Sequence, residues 1–303
     1  MLALASIVFS LLKGSSTVSL QHLLYSDYQQ FNMIFLNLRV PRTVSAFTSG
    51  ALLALSGSLM QLLLQNPLAD PYVLGISSGA AFFTLLMLLA GFDSNWVLFG
   101  AWFGSLITVG CILALSRQHR WHIHTLLLTG VAIASGFGAG ISLILLLSPD
   151  TSLHSMLFWL TGDLNDASIS WAAVTILIGG LLLSLALAPG LNVLSNGATQ
   201  AQALGLPVKK YRILLFLLSS LFAAAAVTQA GCIGFVGLIV PHGIRRIMGG
   251  DHRIMLPAAA LAGGSLVTIA DTVARSAFAP QQIPAGIIMA LIGIPVFIGL
   301  MRQ

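Results

Sequence analysis

Residues 213–244 read ILLFLLSSLFAAAAVTQAGCIGFVGLIVPHGI. A helix crossing a bilayer needs about 20 apolar residues, so this run is too long for one crossing and too short for two joined by a turn. Gly231, Gly234, Gly237 and Pro241 interrupt its second part. The pattern predicts a full helix over Ile213–Ala230, followed by a half-membrane or partly extended piece over Gly231–Ile244 packed inside the protein. Non-helical backbone is tolerated at membrane depth only where protein buries it or where it lines a cavity. This stretch therefore implies further helices around it.

Immediately upstream, Asn196–Arg212 is the longest polar interruption in the second half of the chain. Asn196 can cap a helix, and Ala198, Ala201 and Leu204 recur at a spacing of three. Gly205 and Pro207 stop that helix, and Lys209, Lys210 and Arg212 add positive charge before the apolar sequence resumes. The residues fit two readings: a solvated loop whose lysines fix topology, or a contact surface for something outside the membrane.

The composition agrees with a membrane setting. Of 303 residues, 57% are hydrophobic and 7% charged, where soluble domains carry about 25%. Mean hydropathy is +0.97. All eight acidic residues are aspartates. No basic stripe or RNA-binding pattern points to nucleic acid. Cys111 and Cys232 lie in apolar runs and read as small hydrophobes.

Further spans are expected at Pro41–Leu64, Tyr72–Gly91, Trp96–Leu115, Thr125–Leu147, Ile169–Leu187, Leu256–Ala274 and Ile283–Met301. Leu2–Leu12 lacks a signal peptide's charged start and cleavage site and reads as a short or truncated first helix. Val18–Leu38 reads as an interfacial connection. The expectation is an all-α polytopic membrane protein of about ten transmembrane helices, the eighth a half-helix. Residues 1–303 then form one domain, with 196–212 as its main loop. Gly100/Gly104 and Gly136/Gly140 form GxxxG pairs that favour close helix packing.

With both termini inside, Arg117, Arg120, Lys209, Lys210, Arg212, Arg245, Arg246, Arg253 and Arg302 are cytoplasmic. Only Lys13, Arg39, Arg42 and Arg275 lie outside. The reverse orientation breaks the positive-inside tendency. Three outer arginines at two helix ends, Arg39, Arg42 and Arg275, suggest an anion-recognising surface, because the guanidinium fork binds both oxygens of a carboxylate.

The catalytic motifs are weak. Gly75-Ile-Ser-Ser-Gly79 matches GxSxG but opens a membrane helix with no strand before it, so packing outweighs a nucleophile at Ser77. His119, His122 and His124 sit among cations, which oppose metal binding. There is no Walker A sequence, so no P-loop binds nucleotide in this chain. Asp271 is the only acidic candidate for an ion relay, and Arg275, one turn on, makes a local ion pair near the outer surface the better reading.

Three stretches together resemble the permeases of ABC importers for iron–siderophore complexes, haem and cobalamin, the type II importers. One is Arg39-Val-Pro-Arg42 with Gly50–Gly57, Gln61–Pro71, which contains Asn-Pro-Leu-Ala-Asp-Pro, and Leu74–Ala80. Another is Ala203-Leu-Gly-Leu-Pro207 with Tyr211-Arg212. The third is Gly234-Phe-Val-Gly-Leu-Ile-Val-Pro-His242 with Arg245, Ala270–Arg275 and Ile283–Gly286.

The resemblance implies a ten-helix subunit in a homodimer or pseudo-symmetric heterodimer within the inner membrane. It implies two cytoplasmic ATPase subunits that hold the ATP and Mg, leaving this chain without a cofactor or catalytic residues. It also implies a periplasmic or lipid-anchored binding protein that delivers the ligand. The loop 196–212 would couple to the ATPase through Ala198, Ala201, Leu204, Gly205 and Leu206. Arg39, Arg42 and Arg275 would meet acidic residues of the binding protein. Members begin with a full first helix, whereas this chain starts about halfway through it.

Overall fold

A computed structural model describes residues 1–14, 32–117, 123–165, 168–277 and 281–301. These form twelve α-helices: α1 Leu2–Leu12, α2 Val40–Leu64, α3 Ile76–Leu89, α4 Ser94–Arg117, α5 Ile123–Leu147, α6 Asp150–Leu160, α7 Trp171–Ser195, α8 Ala198–Ala203, α9 Val208–Ala230, α10 Val236–Met248, α11 His252–Ser276 and α12 Ala285–Met301. No strand occurs among the described residues. By length and composition, six helical segments can cross a membrane: Phe35–Leu64, Trp96–Leu115, Thr125–Leu147, Trp171–Ser195, Val208–Ala230 and His252–Ser276.

The axis of the bundle is α2. Its most apolar window is 94% buried, against 11% for α5 and 17% for α7, so α2 is enclosed while α5 and α7 present apolar perimeter. It packs against α11, α9, α10 and α7. Apolar burial gives little drive between helices in lipid, so close packing and interhelical hydrogen bonds hold them together. The sequence of α2 suits this. Gly50 lies against the Gly263 carbonyl of α11 and Gly57 against the Gly237 carbonyl of α10, with no room for a Cβ at either place. The buried Ser56 hydroxyl donates to the Ser219 carbonyl of α9 at 2.6 Å. Gly100 and Gly104 bring α4 against the α3 backbone, as the GxxxG spacing suggests, whereas Gly136 faces open space.

After α9 the chain turns at Gly231 (φ +65°) and passes through Gly234 and Phe235 (φ +69°) before α10 begins. This matches the broken eighth element expected from the sequence. The buried Ile233 N–H donates to the Tyr72 hydroxyl at 3.2 Å, supplying a partner the helix does not. Tyr72→Phe should leave this donor unsatisfied and cost about 1–3 kcal/mol. An unchanged unfolding midpoint in detergent would contradict that role.

Several expected boundaries are corrected. Tyr72–Gly91 is not one helix: a 3-10 turn over Pro71–Leu74, capped by Asp70, ends at Gly75 (φ +74°) before α3 starts. The helix expected to stop at Leu187 continues to Ser195 through Pro189, and Pro241, Pro257 and Pro295 are likewise inside helices. Pro189 and Pro295 are exposed on perimeter helices, so packing is not the reason. In a membrane the backbone has no water to bond with outside a helix, which favours carrying the helix past a proline. Helix α6 had no separate apolar signal, being a short polar-flanked segment between α5 and α7. A π-helical segment over Asn32–Arg39 runs directly into α2, which lengthens that element beyond the expected start.

Candidate functional site

Two polar constellations lie at opposite ends of the bundle. One gathers the arginines singled out from the sequence. Arg42, in the first turn of α2, meets Asp271 of α11: Nε lies 3.0 Å from both carboxylate oxygens and Nη2 lies 2.8 Å from Oδ1. Its Nη1 donates to Asn165 Oδ1 at 2.7 Å and Gln282 Oε1 at 2.9 Å. Arg275 directs Nη2 to the Ser10 carbonyl and hydroxyl at 2.6 and 2.7 Å, while its Nε lies 3.7 Å from Asp271 Oδ2. Arg39 Nη1 donates to the Leu11 and Leu12 carbonyls at 2.9 and 3.3 Å. The last carbonyls of a helix lack intrahelical partners and carry partial negative charge, so Arg39 and Arg275 fasten the end of α1.

This corrects the outward-facing reading of Arg39, Arg42 and Arg275. They are 6%, 9% and 4% exposed, and their donors are directed to groups of the chain itself. Asp271 is fully buried. The i,i+4 pair with Arg275 exists, but the stronger contact is to Arg42, which no local spacing could reveal. A lone carboxylate within apolar sequence was the available signal that a distant cation must reach it.

The opposite end carries Lys209, Lys210, Arg245, Arg246 and Arg253, together with α8. Leu206 N–H bonds to the Ala201 carbonyl and Gly205 N–H to the Gln202 carbonyl, both at 2.9 Å. That is a Schellman stop, with Gly205 at φ +81° in the left-handed position glycine favours. The expected single face of Ala198, Ala201 and Leu204 is corrected. Ala201 is fully buried, Ala198 packs half-buried on the core, and Leu204 is 75% exposed. Leu204 still makes the helical bond from its N–H to the Gln200 carbonyl at 3.1 Å. Each step of three, however, falls about 60° short of a full turn, so the three residues fan around the short helix and do not share one face. The outward surface is Thr199, Gln200, Gln202, Ala203, Leu204 and Gly205, with Leu206 half-buried beneath it.

A side-chain junction joins the end of α7, just before this loop, to the start of α11. Asn192 Nδ2 donates to Asp251 Oδ1 at 2.7 Å. Asn192 Oδ1 accepts from the His252 backbone N–H at 2.9 Å and faces its ring Nδ1 at 2.7 Å. Asp251 also caps α11 by accepting from the Arg253 N–H at 3.0 Å. That backbone bond, then the Asn192 amide, holds the Asp251 carboxyl below its ordinary pKa, so it stays ionised as a cap. The end of α7, just before the loop, is therefore hydrogen-bonded to the start of α11.

Ser77 is 7% exposed at the start of α3. His119 and His122 lie outside the described residues, as does the His124 side chain. No group of three metal-ligating side chains is found among the described residues.

Comparison with known proteins agrees with the helical architecture. The haemin transport system permease protein HmuU of Yersinia pestis is 41% identical over 278 residues, 89% of this chain and 83% of that protein. The cobalamin import system permease protein BtuC of Halobacterium salinarum is 40% identical over 272 residues, 88% and 72% of the two chains. A solved inward-facing structure described as a metal-chelate type ABC transporter superposes with a TM-score of 0.86 at 31% identity, covering 100% of this chain and 96% of the other. Residues 2–303 match the FecCD transport family, and the chain belongs to that family of ABC-transporter permeases.

Proposed function

We propose that this chain is the translocating subunit of an ABC importer in the inner membrane, crossing it about ten times with both termini cytoplasmic. Two partner ATPases bind ATP and Mg on the cytoplasmic side, and this chain contributes no catalytic group. A second permease subunit completes the pathway, and a substrate-binding protein delivers cargo to the end that carries Arg42 and Asp271. The cargo is a metal chelate: an iron complex such as haem or a ferric siderophore, or alternatively cobalamin. Relatives named for haemin and for cobalamin stand at 41% and 40% identity, too close to choose between them.

The observation that carries this reading is the outward surface of α8. A six-residue helix presents Leu204, 75% exposed, beside a left-handed Gly205. The Asn192–Asp251–His252 junction links the same region to α11. ATP-driven closure of the ATPases would push on this loop and rock the helices between two access states.

Reconstitution with the ATPase and binding protein tests the proposal. Uptake should require ATP, and persistence without it would overturn the reading. Nothing lies within 4 Å of the position of an added Cβ at Gly205, so Gly205→Trp can be accommodated outward, with strain only from its φ. The variant should reach the membrane yet lose uptake by about tenfold or more, equivalent to about 1.4 kcal/mol of docking energy, while the ATPase still turns over. Undiminished coupled uptake would remove α8 from the contact.

A further inference from the structure

Stable docking between two proteins takes about 800 Å² of each partner, roughly 20–30 residues a side. The exposed positions of α8 and its cap, from Thr199 to Gly205, number six. The ATPase contact proposed for α8 is therefore incomplete without neighbouring surface.

The end of α10 offers such a surface. Arg246, Ile247 and Met248 are consecutive and all exposed, Ile247 at 79% and Met248 at 53%. Successive helical residues point about 100° apart, so three in a row do not share one stripe, and the last turn of α10 stands clear of the bundle. Gly249 and Gly250 follow, and nothing lies within 4 Å of an added Cβ at either. The turn also lies at the edge of the apolar spans. Gly250 shares a cleft with Gln65, Asn66 and Pro67, just past the end of α2, and with Ser195, the last residue of α7. Those polar neighbours sit at or beyond the ends of two membrane-crossing segments, so this face meets water.

A single exposed apolar side chain is ordinary, whereas a grouped set on a watery face marks an interaction surface. Here the set is grouped by the cleft. Pro67 on its rim leads into the exposed Leu68, Ser195 leads through Asn196 and Gly197 into α8, and Gly250 follows Ile247 and Met248. The charge is one-sided as well. Arg246 and Arg253 flank the turn and are exposed, while the Asp251 carboxylate is taken up by the Asn192 amide and the Arg253 N–H. We propose that the end of α10, Arg246–Gly250, is a second docking point for the same ATPase that α8 contacts, with Ile247 and Met248 entering an apolar hollow rimmed by acidic side chains. The proposal rests on the ATPase reading of α8 and adds a contact to it.

The test uses the full chain in lipid nanodiscs, with Cys111→Ala and Cys232→Ala and one further substitution, Ile247→Cys or Leu204→Cys. A charged, water-soluble maleimide should label both positions in the free permease. Position 247 closed to the reagent there would place the turn in lipid and overturn the proposal. ATPase present at about ten times its Kd should slow labelling at both positions about tenfold. Protection at 204 alone overturns the proposal and leaves the α8 contact standing, whereas protection at neither position overturns both. Protection at 247 alone keeps the α10 contact and removes α8. In the otherwise unaltered chain, Ile247→Ser should raise the Kd for the ATPase about tenfold or more, as loss of a buried apolar anchor does, and an unchanged Kd contradicts the anchor. Docking should weaken as salt rises, and less steeply in Arg253→Gln; docking indifferent to salt overturns the acidic rim.

Discussion

Asp271→Ala is expected to destabilise the protein by about 3–5 kcal/mol, because removing one member of a buried ion pair strands the other charge. Asp271 is fully buried and is the carboxylate that Arg42 and Arg275 share. Its loss would place two guanidinium groups a few ångströms apart without a counter-charge. The measurement is the unfolding free energy in detergent, and a loss below about 1 kcal/mol, the level of a surface pair, would refute the assigned role. The double variant Arg42→Met with Asp271→Leu should recover much of the loss, since a buried pair is often replaceable by apolar side chains of similar volume.

The same pair bears on the competing reading of an ion-coupled secondary transporter. That reading predicts lost uptake in Asp271→Asn, but so does a purely structural pair, so activity alone does not separate them. The double variant does. ATP-driven uptake in a folded Arg42→Met/Asp271→Leu protein would exclude Asp271 as a relay, whereas uptake abolished in a protein of near-normal stability would favour one.

Gly57→Ala is the second large effect, expected at about 1–3 kcal/mol from overpacking. Its Cβ would collide with the carbonyl oxygen, carbonyl carbon and Cα of Gly237, all backbone, so no side chain can rotate aside. Relief requires moving α10 away from α2, which also disturbs the Gln61 hydrogen bonds to Gly237 and Leu238. Gly50→Ala should behave similarly against the Gly263 carbonyl. Gly136→Ala is the control: nothing lies within 4 Å of the new carbon, and alanine gains about 1 kcal/mol in helix propensity. Thermal midpoints of the three variants should fall, fall and hold or rise; a uniform response would show that backbone proximity is not what selects glycine here.

Much of the fold was legible because lipid imposes a simple rule. Long apolar runs must be helical, so the six long segments lay within a few residues of their expected places, apart from α7, which passed its proline. The broken element after α9 was equally readable from Gly231 and Gly234, where the helix does stop, whereas Gly237 and Pro241 lie inside α10. Gly205 announced the end of α8 for the same local reason. The failures were those of distance. The expected end of α7 at Leu187 was too early, because Pro189 sits inside a helix that runs on to Ser195 and packs Gly190 against Tyr211. Ala201 looked available because periodicity marks a face without saying which way the face turns.

The sequence by itself determined the membrane setting, the helical class, the positions of the long spans and, through its motifs, the permease family. Each rests on composition or short-range pattern, which backbone chemistry reads directly. Only the tertiary structure decided where the charges are spent. Arg42 and Asp271 are 229 positions apart, and Arg275 reaches back 265 positions to Ser10, so their pairing depends on how α1, α2 and α11 cross. Three arginines that charge placement put on an outer surface are inside, where burial demands a partner, and for Arg42 and Arg275 the fold brings that partner from the far end of the chain.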